Sequence, residues 1–361
     1  MPKGIMTYVR NPLYWLLLGI PLTLLLTALS VPPQWILLAS AAALIPLASL
    51  IGESTEALAA RTGPRIGGLL NATLGNAAEL IISIVAIREG LLELVKASIT
   101  GSILGNLLLV LGLSMLAGGM RHGVLSFDRR QAMSDSVMLV LAVLALGVPS
   151  LFTQATEGIA SPIHIEVLSL GVALLMIVIY VMGLIYSFRR LPSPLTRPST
   201  ETVVGDGHWS LRTSLIMLVV AVAGTVWMSE LLVRQVEPVV IGLGISEFFL
   251  GVILVPIVGN VAEHLVAVTV ALKNRMSLSV EIAVGSSLQI ALFVAPLLVF
   301  ISLLMGNPLT LVFNRFELIA LAGGVLVAAL VSSDGEANWF EGAELLAVYL
   351  MLALAFFFLP S

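Results

Sequence analysis

The chain has 361 residues, of which 59% are hydrophobic and 11% charged, with a mean hydropathy of +1.09 and a formal net charge of −4. This balance excludes a soluble globular domain, and the small negative charge excludes a nucleic-acid binder. The absence of cysteine excludes a disulfide framework and any thiolate metal site.

The apolar segments run about 20 residues each, the length of a membrane-crossing helix, without the short alternating runs of a β-barrel. In chain order they predict eleven spans: 13–30, 34–55, 66–87, 98–119, 132–152, 165–187, 211–233, 247–271, 280–304, 316–333 and 339–359. The expected fold class is therefore an all-α integral membrane protein. The first span follows "MPKGIMTYVRNP", which has no small-residue cleavage pattern, so it reads as a retained helix. With the N-terminus in the cytoplasm and the C-terminus outside, 13 of the 17 Lys and Arg fall inside, and Arg88, Lys96, Arg234 and Arg315 fall outside. Only "RRLPSPLTRPSTETVVGDGHWS", residues 189–210, reads as a linker between halves.

Within the third span, "GNAAELIISIVAI" places Glu79 in an apolar helix, and residues 259–271, "GNVAEHLVAVTVA", repeat the pattern. Gly75, Asn76, Ala78 and Glu79 match Gly259, Asn260, Ala262 and Glu263 at a constant offset of 184. The same offset carries Gly67 to Gly251, Leu70 to Leu254 and Gly101-Ser102 to Gly285-Ser286. The chain thus divides into an N-terminal helix (1–32), a five-helix unit (33–188), a cytoplasmic linker (189–210) and a second five-helix unit (211–361). An odd number of spans per unit turns the second copy upside down, the inverted repeat typical of secondary transporters.

A carboxylate at mid-membrane costs at least about 2.5–3.5 kcal/mol on insertion scales, so it is a functional-site hypothesis by default. A single such Glu could also be protonated and bonded to a neighbouring helix. Two at equivalent positions of an inverted repeat are harder to explain so, because the symmetry axis can bring them together. Two facing carboxylates in a low dielectric repel each other, and such a pair holds either protons or a cation. Calcium requires six to eight oxygen ligands. Helix breaks expected at Gly75 in the first copy, and at Pro256 and Gly259 in the second, would free backbone carbonyls for this purpose. Asn76 and Asn260 lie three residues before their Glu, on the same helix face, as amide ligands or alternatively as helix caps.

The blocks "GSILGN" (101–106) and "GSSLQI" (285–290) put Ser102, Asn106, Ser286 and Gln289 inside apolar helices, where they would bond the carboxylates directly or through water. Close packing is the alternative for the two serines. Glu53, Glu56, Glu230, Glu237, Glu247 and Glu281 lie near span ends, and their number suggests a negative vestibule, assigned to Glu56, Glu230, Glu237 and Glu247. Asp135 and Glu344 are weaker candidates for a proton path. His264 projects about 100° away from Glu263 and is expected to be packed and hydrogen-bonded. No metalloprotease helix, phosphate loop or Ser–His pair lies within the spans, so the chain is not expected to be an enzyme.

On these residues the chain resembles the cation/proton exchanger family, the calcium/proton antiporters of the calcium/cation antiporter superfamily. The motifs are "GGLLNATLGNAAELIISIVAIREG" (67–90) with "VKASITGSILGNLLLVLG" (95–112), and "GLGISEFFLGVILVPIVGNVAEH" (242–264) with "VALKNRMSLSVEIAVGSSLQIALFVAP" (270–296). The resemblance covers nearly the whole chain. It implies exchange of Ca2+, or other divalent cations, for H+ by alternating access, with Glu79 and Glu263 as ligands of the exchanged ion. Backbone oxygens near Gly75 and Gly259 would contribute, with Ser102, Ser286 and Gln289 acting through water. It implies no cofactor beyond the transported ion, Ca2+ and H+ as substrates, a lipid bilayer as surroundings and no nucleic acid, and it allows a homo-oligomer. The expected location is the cell membrane, or an organellar membrane in a eukaryote. The chain departs from the family in the linker, which holds only Glu201 and Asp206 where many members carry a long acidic segment, and at Gly105, where many have Ser. The alternatives are a sodium/calcium exchanger, which typically has Pro where Ala78 and Ala262 stand, and a cation channel.

Overall fold

The computed structural model describes residues 12–62, 67, 70, 71, 73–156, 159, 161–189 and 209–359. The chain before Pro12 and nearly all of the expected linker lie outside these residues. Twelve helices follow in order: α1 Pro12–Ala28, α2 Pro33–Thr62, α3 Ala77–Arg88, α4 Leu92–His122, α5 Arg129–Ala155, α6 Pro162–Arg189, α7 Leu211–Val233, the short α8 Val236–Leu243, α9 Glu247–Leu272, α10 Met276–Leu304, α11 Arg315–Val331 and α12 Trp339–Phe358. Among the described residues eight helical stretches are long and apolar enough to cross a membrane. The other expected spans are shorter, at α1 and α11, or interrupted, at Gly75 and Asn76 just before α3. This is an all-α multi-pass membrane protein.

Helix ends follow local chemistry. Asp128 caps α5 by accepting from the Arg130 and Gln131 amides at 2.9 and 3.1 Å, and Ser246 caps α9 through Phe249 N at 3.1 Å. Asn314 with Glu317, and Asn338 with Glu341, form reciprocal capping boxes at the starts of α11 and α12. Helix α2 runs seven residues past its expected end at 55, because "ESTEALAART" leaves the apolar region without losing helix-forming residues.

Contacts between connections sort them into two ends. At one, Arg61 donates to Trp209 O, His122 Nε2 lies 2.8 Å from Leu272 O, and Arg129 Nε donates to Ser333 O at 2.9 Å. There, too, β1 (Leu125–Ser126) pairs antiparallel with β2 (Glu336–Ala337). We call this the basic end. At the other, Arg88 pairs with Glu230 at 3.1 Å, Lys96 Nζ donates to Val312 O at 3.0 Å, and Asn307 Nδ2 donates to Ile87 O at 3.0 Å. Exposed Trp15, Tyr186 and Trp339 ring the basic end, and exposed Trp35, Trp227 and Phe358 ring the other. Two such belts mark where a bilayer's interfaces lie.

The expected duplication has a backbone counterpart. Helix α4 opens into a π-turn over Gly105–Val110, and α10 does so over Ile290–Val294. At the offset of 184, Gly105–Val110 maps onto 289–294. Each wide turn starts within about one helical turn of its Gly-Ser pair, and π-turns inside helices occur frequently at functional sites.

Candidate functional site

Helices α3, α4, α9 and α10 meet at the centre, and each carries polar residues into that meeting point. The backbone before Glu79 breaks at Gly75 and Asn76, as expected. The expected second break does not occur. Residues Val255–Leu272 form continuous helix through Gly259 and Asn260. The reason lies one turn earlier, where Leu250–Leu254 is a π-turn and Val255 N bonds to Leu250 O. Pro256 then falls in the first α-turn after it, where a missing N–H and a fixed ring are tolerated. The distortion is absorbed as a wide turn instead of a break.

The asparagines therefore do not cap. Asn76 stands at the N-cap position of α3 but makes no cap bond with its side chain, and Asn260 is inside a helix. Both side chains reach across the repeat. Asn76 Nδ2 donates to Gln289 Oε1 at 2.8 Å and Asn76 Oδ1 accepts from Ser286 Oγ at 3.1 Å. Asn106 Nδ2 donates to Ser286 Oγ at 3.1 Å, His264 Nε2 lies 3.2 Å from Asn106 Oδ1, and Asn260 Nδ2 donates to Ser102 Oγ at 3.4 Å. His264 is hydrogen-bonded, as its position around the helix suggested. Ser102, Ser286 and Asn106 are buried and bonded across the halves, so they do more than pack.

The carboxylates sit within this ring. Glu79 is 3% exposed, and neither of its oxygens has a hydrogen-bond partner among the described residues. Glu263 is half-buried with Oε2 unpartnered, lies within reach of Ser286, and stands one helical turn after Gly259, on which Glu79 rests. Glycine makes this approach possible. A Cβ built on Gly259 would lie 2.9 Å from Glu79 Cδ, so the carboxyl group of one half rests on the backbone of the other. One on Gly101 would lie 2.0 Å from Val252 O, which sets how closely α4 meets α9.

A buried carboxylate pair with unpartnered oxygens is unstable as a dianion. It holds together only with protons or with a cation. No three acidic or histidine side chains converge among the described residues, so a cation here draws on amide, hydroxyl and backbone oxygens as well as carboxylates.

Of the four acids expected to form a vestibule, three lie at one end and Glu56 does not join them. Glu230 is paired with Arg88 and, at 2.7 Å, with Arg234, while Glu247 accepts from Leu94 N at 3.0 Å. These two lie at the end opposite the basic one, as does Glu237 just beyond α7. Glu56 sits on α2 toward the basic end. Charge count alone could not assign each acid to an end. Sequence reading also overlooked Glu317, which is 1% exposed at the start of α11 and accepts from Asn314 N at 2.8 Å and Thr100 Oγ1 at 3.1 Å. The Asn-x-x-Glu spacing of a capping box was the available signal.

The sodium/calcium exchanger protein family matches residues 32–189 and 213–358. The chain is 43% identical to the Ca(2+)/H(+) antiporter of Aphanothece halophytica, over 97% of this chain and 98% of that one. It is 42% identical to the Ca(2+)/H(+) antiporter ChaA of Bacillus subtilis (strain 168), over 97% and 100%. Among solved structures, that of native YfkE aligns with a TM-score of 0.84 at 40% identity, covering 96% of this chain and all of that one. The crystal structure of the H+/Ca2+ exchanger CAX aligns at 0.74 with 16% identity over 96% and 91%, and so shares the fold. With matches in both halves and relatives aligned nearly end to end, this chain belongs to the sodium/calcium exchanger protein family, on its cation/proton exchanger branch.

Proposed function

We propose that this protein is a secondary active antiporter that exchanges Ca2+ for H+ at one central site by alternating access. The observation that carries the proposal is the pair Glu79 and Glu263, two repeat-equivalent carboxylates, one buried and one half-buried, with unpartnered oxygens inside a ring of amides and hydroxyls. The relatives named Ca(2+)/H(+) antiporter support the choice of ions. Cation entry displaces protons from the pair, and protons arriving from the other side release the cation. Glu79, Glu263, Asn76 and Asn260 serve as ligands, together with backbone oxygens at the break near Gly75, while Ser102, Asn106 and Ser286 orient them and Gln289 accepts from the Asn76 amide.

The unit boundaries at 33–188 and 211–361 are part of this reading, with α1 outside both units and the shorter helices crossing as well. The paired π-turns support it. So does an inequality between the halves: Ile82 is 1% exposed, whereas its counterpart Val266 is 41% exposed. An inverted repeat with unequal halves is open toward one side, and exchanging the two arrangements opens it toward the other. The basic end faces the cytoplasm, because Arg61, Arg121, Arg129, Arg130, Arg212, Lys273 and Arg275 all lie there. The membrane is the cell membrane, or an organellar membrane in a eukaryote, and a homo-oligomer is compatible with the exposed apolar faces of α5 and α6.

Purified protein in sealed vesicles tests this. An imposed proton gradient should drive saturable Ca2+ uptake, and an equal Na+ gradient should not. Because the ligands must be deprotonated to bind metal, Ca2+ affinity should fall as pH is lowered from about 8 to about 5. A Ca2+ affinity that stays flat over that range would rule out a shared site.

A further inference from the structure

The two halves of the site differ in what occupies the place beside each glycine. Glu79 rests on Gly259 with Oε1 3.0 Å from where a Cβ would stand. The repeat assigns the matching seat, on Gly75, to Glu263. The nearest side-chain atom there is Gln289 Oε1, 3.5 Å from where a Gly75 Cβ would be and beyond the Asn71 carbonyl oxygen at 2.6 Å, and Asn76 Nδ2 holds that amide oxygen at 2.8 Å. Counting back 184 residues from Gln289 gives Gly105, which has no side chain. Apart from its chain neighbours and the backbone of its own helix, no described heavy atom lies within 4 Å of where its Cβ would be. Glu79 thus has no competitor for its seat, whereas Glu263 has one, and two oxygens cannot share one place.

We propose that Gln289 is a placeholder: its amide oxygen occupies the seat of Glu263 on Gly75, which makes Glu79 the fixed carboxylate and Glu263 the mobile one, and both grip Ca2+ only when Glu263 displaces Gln289. This rests on the exchange reading above. An amide suits the task, since it offers Asn76 an oxygen without adding a third negative charge beside two carboxylates that already repel. A route for the exchange is present, because Ser286 touches Asn76 and also lies within reach of Glu263. The placeholder lowers affinity by the fraction of time that Glu263 is seated. In return, a cation held by one displaceable ligand is released readily, which a transporter needs.

The test uses the full chain, with equilibrium binding of radiolabelled calcium at fixed pH and exchange rates in vesicles. Gln289→Gly makes the halves alike and should bind Ca2+ about tenfold more tightly, for a seat otherwise open to Glu263 about a tenth of the time, while exchanging more slowly. Gly105→Gln places an amide beside Gly259 and should weaken binding by about the same factor. If Gln289→Gly binds Ca2+ no more tightly than the parent, Gln289 is a ligand or a packing residue and the placeholder is refuted. Should that variant not fold, Gly105→Gln decides, since it fills open space, and unchanged affinity there overturns the proposal. Exchange is judged separately: a parent protein that binds Ca2+ but moves no protons defeats the antiport reading and leaves the binding comparison decisive.

Discussion

Glu79→Gln and Glu263→Gln should each give a folded, membrane-inserted protein that no longer couples calcium to protons. The substitution keeps size and one oxygen but removes the charge that attracts the cation and the group that carries the proton. Loss of a residue that only supports a ligand costs about 10–100-fold, so loss of the ligand itself should exceed that range. Stability should move the other way at Glu79. Its carboxyl oxygens are buried without partners, and a neutral amide there is less costly to bury than a charge. Thermal unfolding and proton-driven uptake, measured on the same preparations, check both statements, with Glu201→Gln in the linker as a control expected to transport normally. A folded Glu79→Gln protein that still accumulates Ca2+ against its gradient would remove Glu79 from the mechanism.

Those two residues were legible in the sequence because the bilayer makes them so. A charge inside a 20-residue apolar run stands out without tertiary context, and a constant offset of 184 exposes its twin. The helical class follows from the same run lengths. What stayed hidden depends on hydrogen bonds, which hydropathy does not report. The break at Gly75 and the unbroken α9 arise from similar sequences, and in α9 the π-turn at Leu250–Leu254 takes up the distortion. The reach of Asn76 to Gln289 depends on where the break before α3 and the π-turn of α10 aim side chains from opposite halves. The acids at span ends were hard to assign for another reason. Near the interface a carboxylate can cap a helix, as Glu247 does for α4, or pair with arginine, as Glu230 does, and neither use has a hydropathy signature. The offset still holds information there, since Glu53 and Glu237 are equivalent by it, and Glu53 accepts from the Tyr14 hydroxyl of α1.

Gly101→Ala should lower the unfolding temperature and cut exchange, although it adds a single methyl group and leaves every polar residue in place. The new Cβ would stand 2.0 Å from Val252 O, whereas a comfortable carbon–oxygen contact is about 3.3 Å. The obstacle is backbone within a π-turn, so no side chain can swing aside. Either α4 or α9 has to retreat by more than about 1 Å. Overpacking of this kind costs about 1–3 kcal/mol, set against about 1 kcal/mol gained in helix preference when Gly becomes Ala. The retreat also carries Ser102 away from Asn260, a contact already 3.4 Å long, and with it the polar ring around the carboxylates. Gly105→Ala, one turn further along α4, is the matched comparison: it gains the same helix preference and meets open space. It should be as stable as the parent or more so. Thermal unfolding and vesicle exchange of the two variants side by side separate a backbone contact from a general intolerance of alanine in this helix. Equal behaviour of the two would mean that α4 and α9 part freely, and that the close approach at Gly101 does not set the geometry of the site.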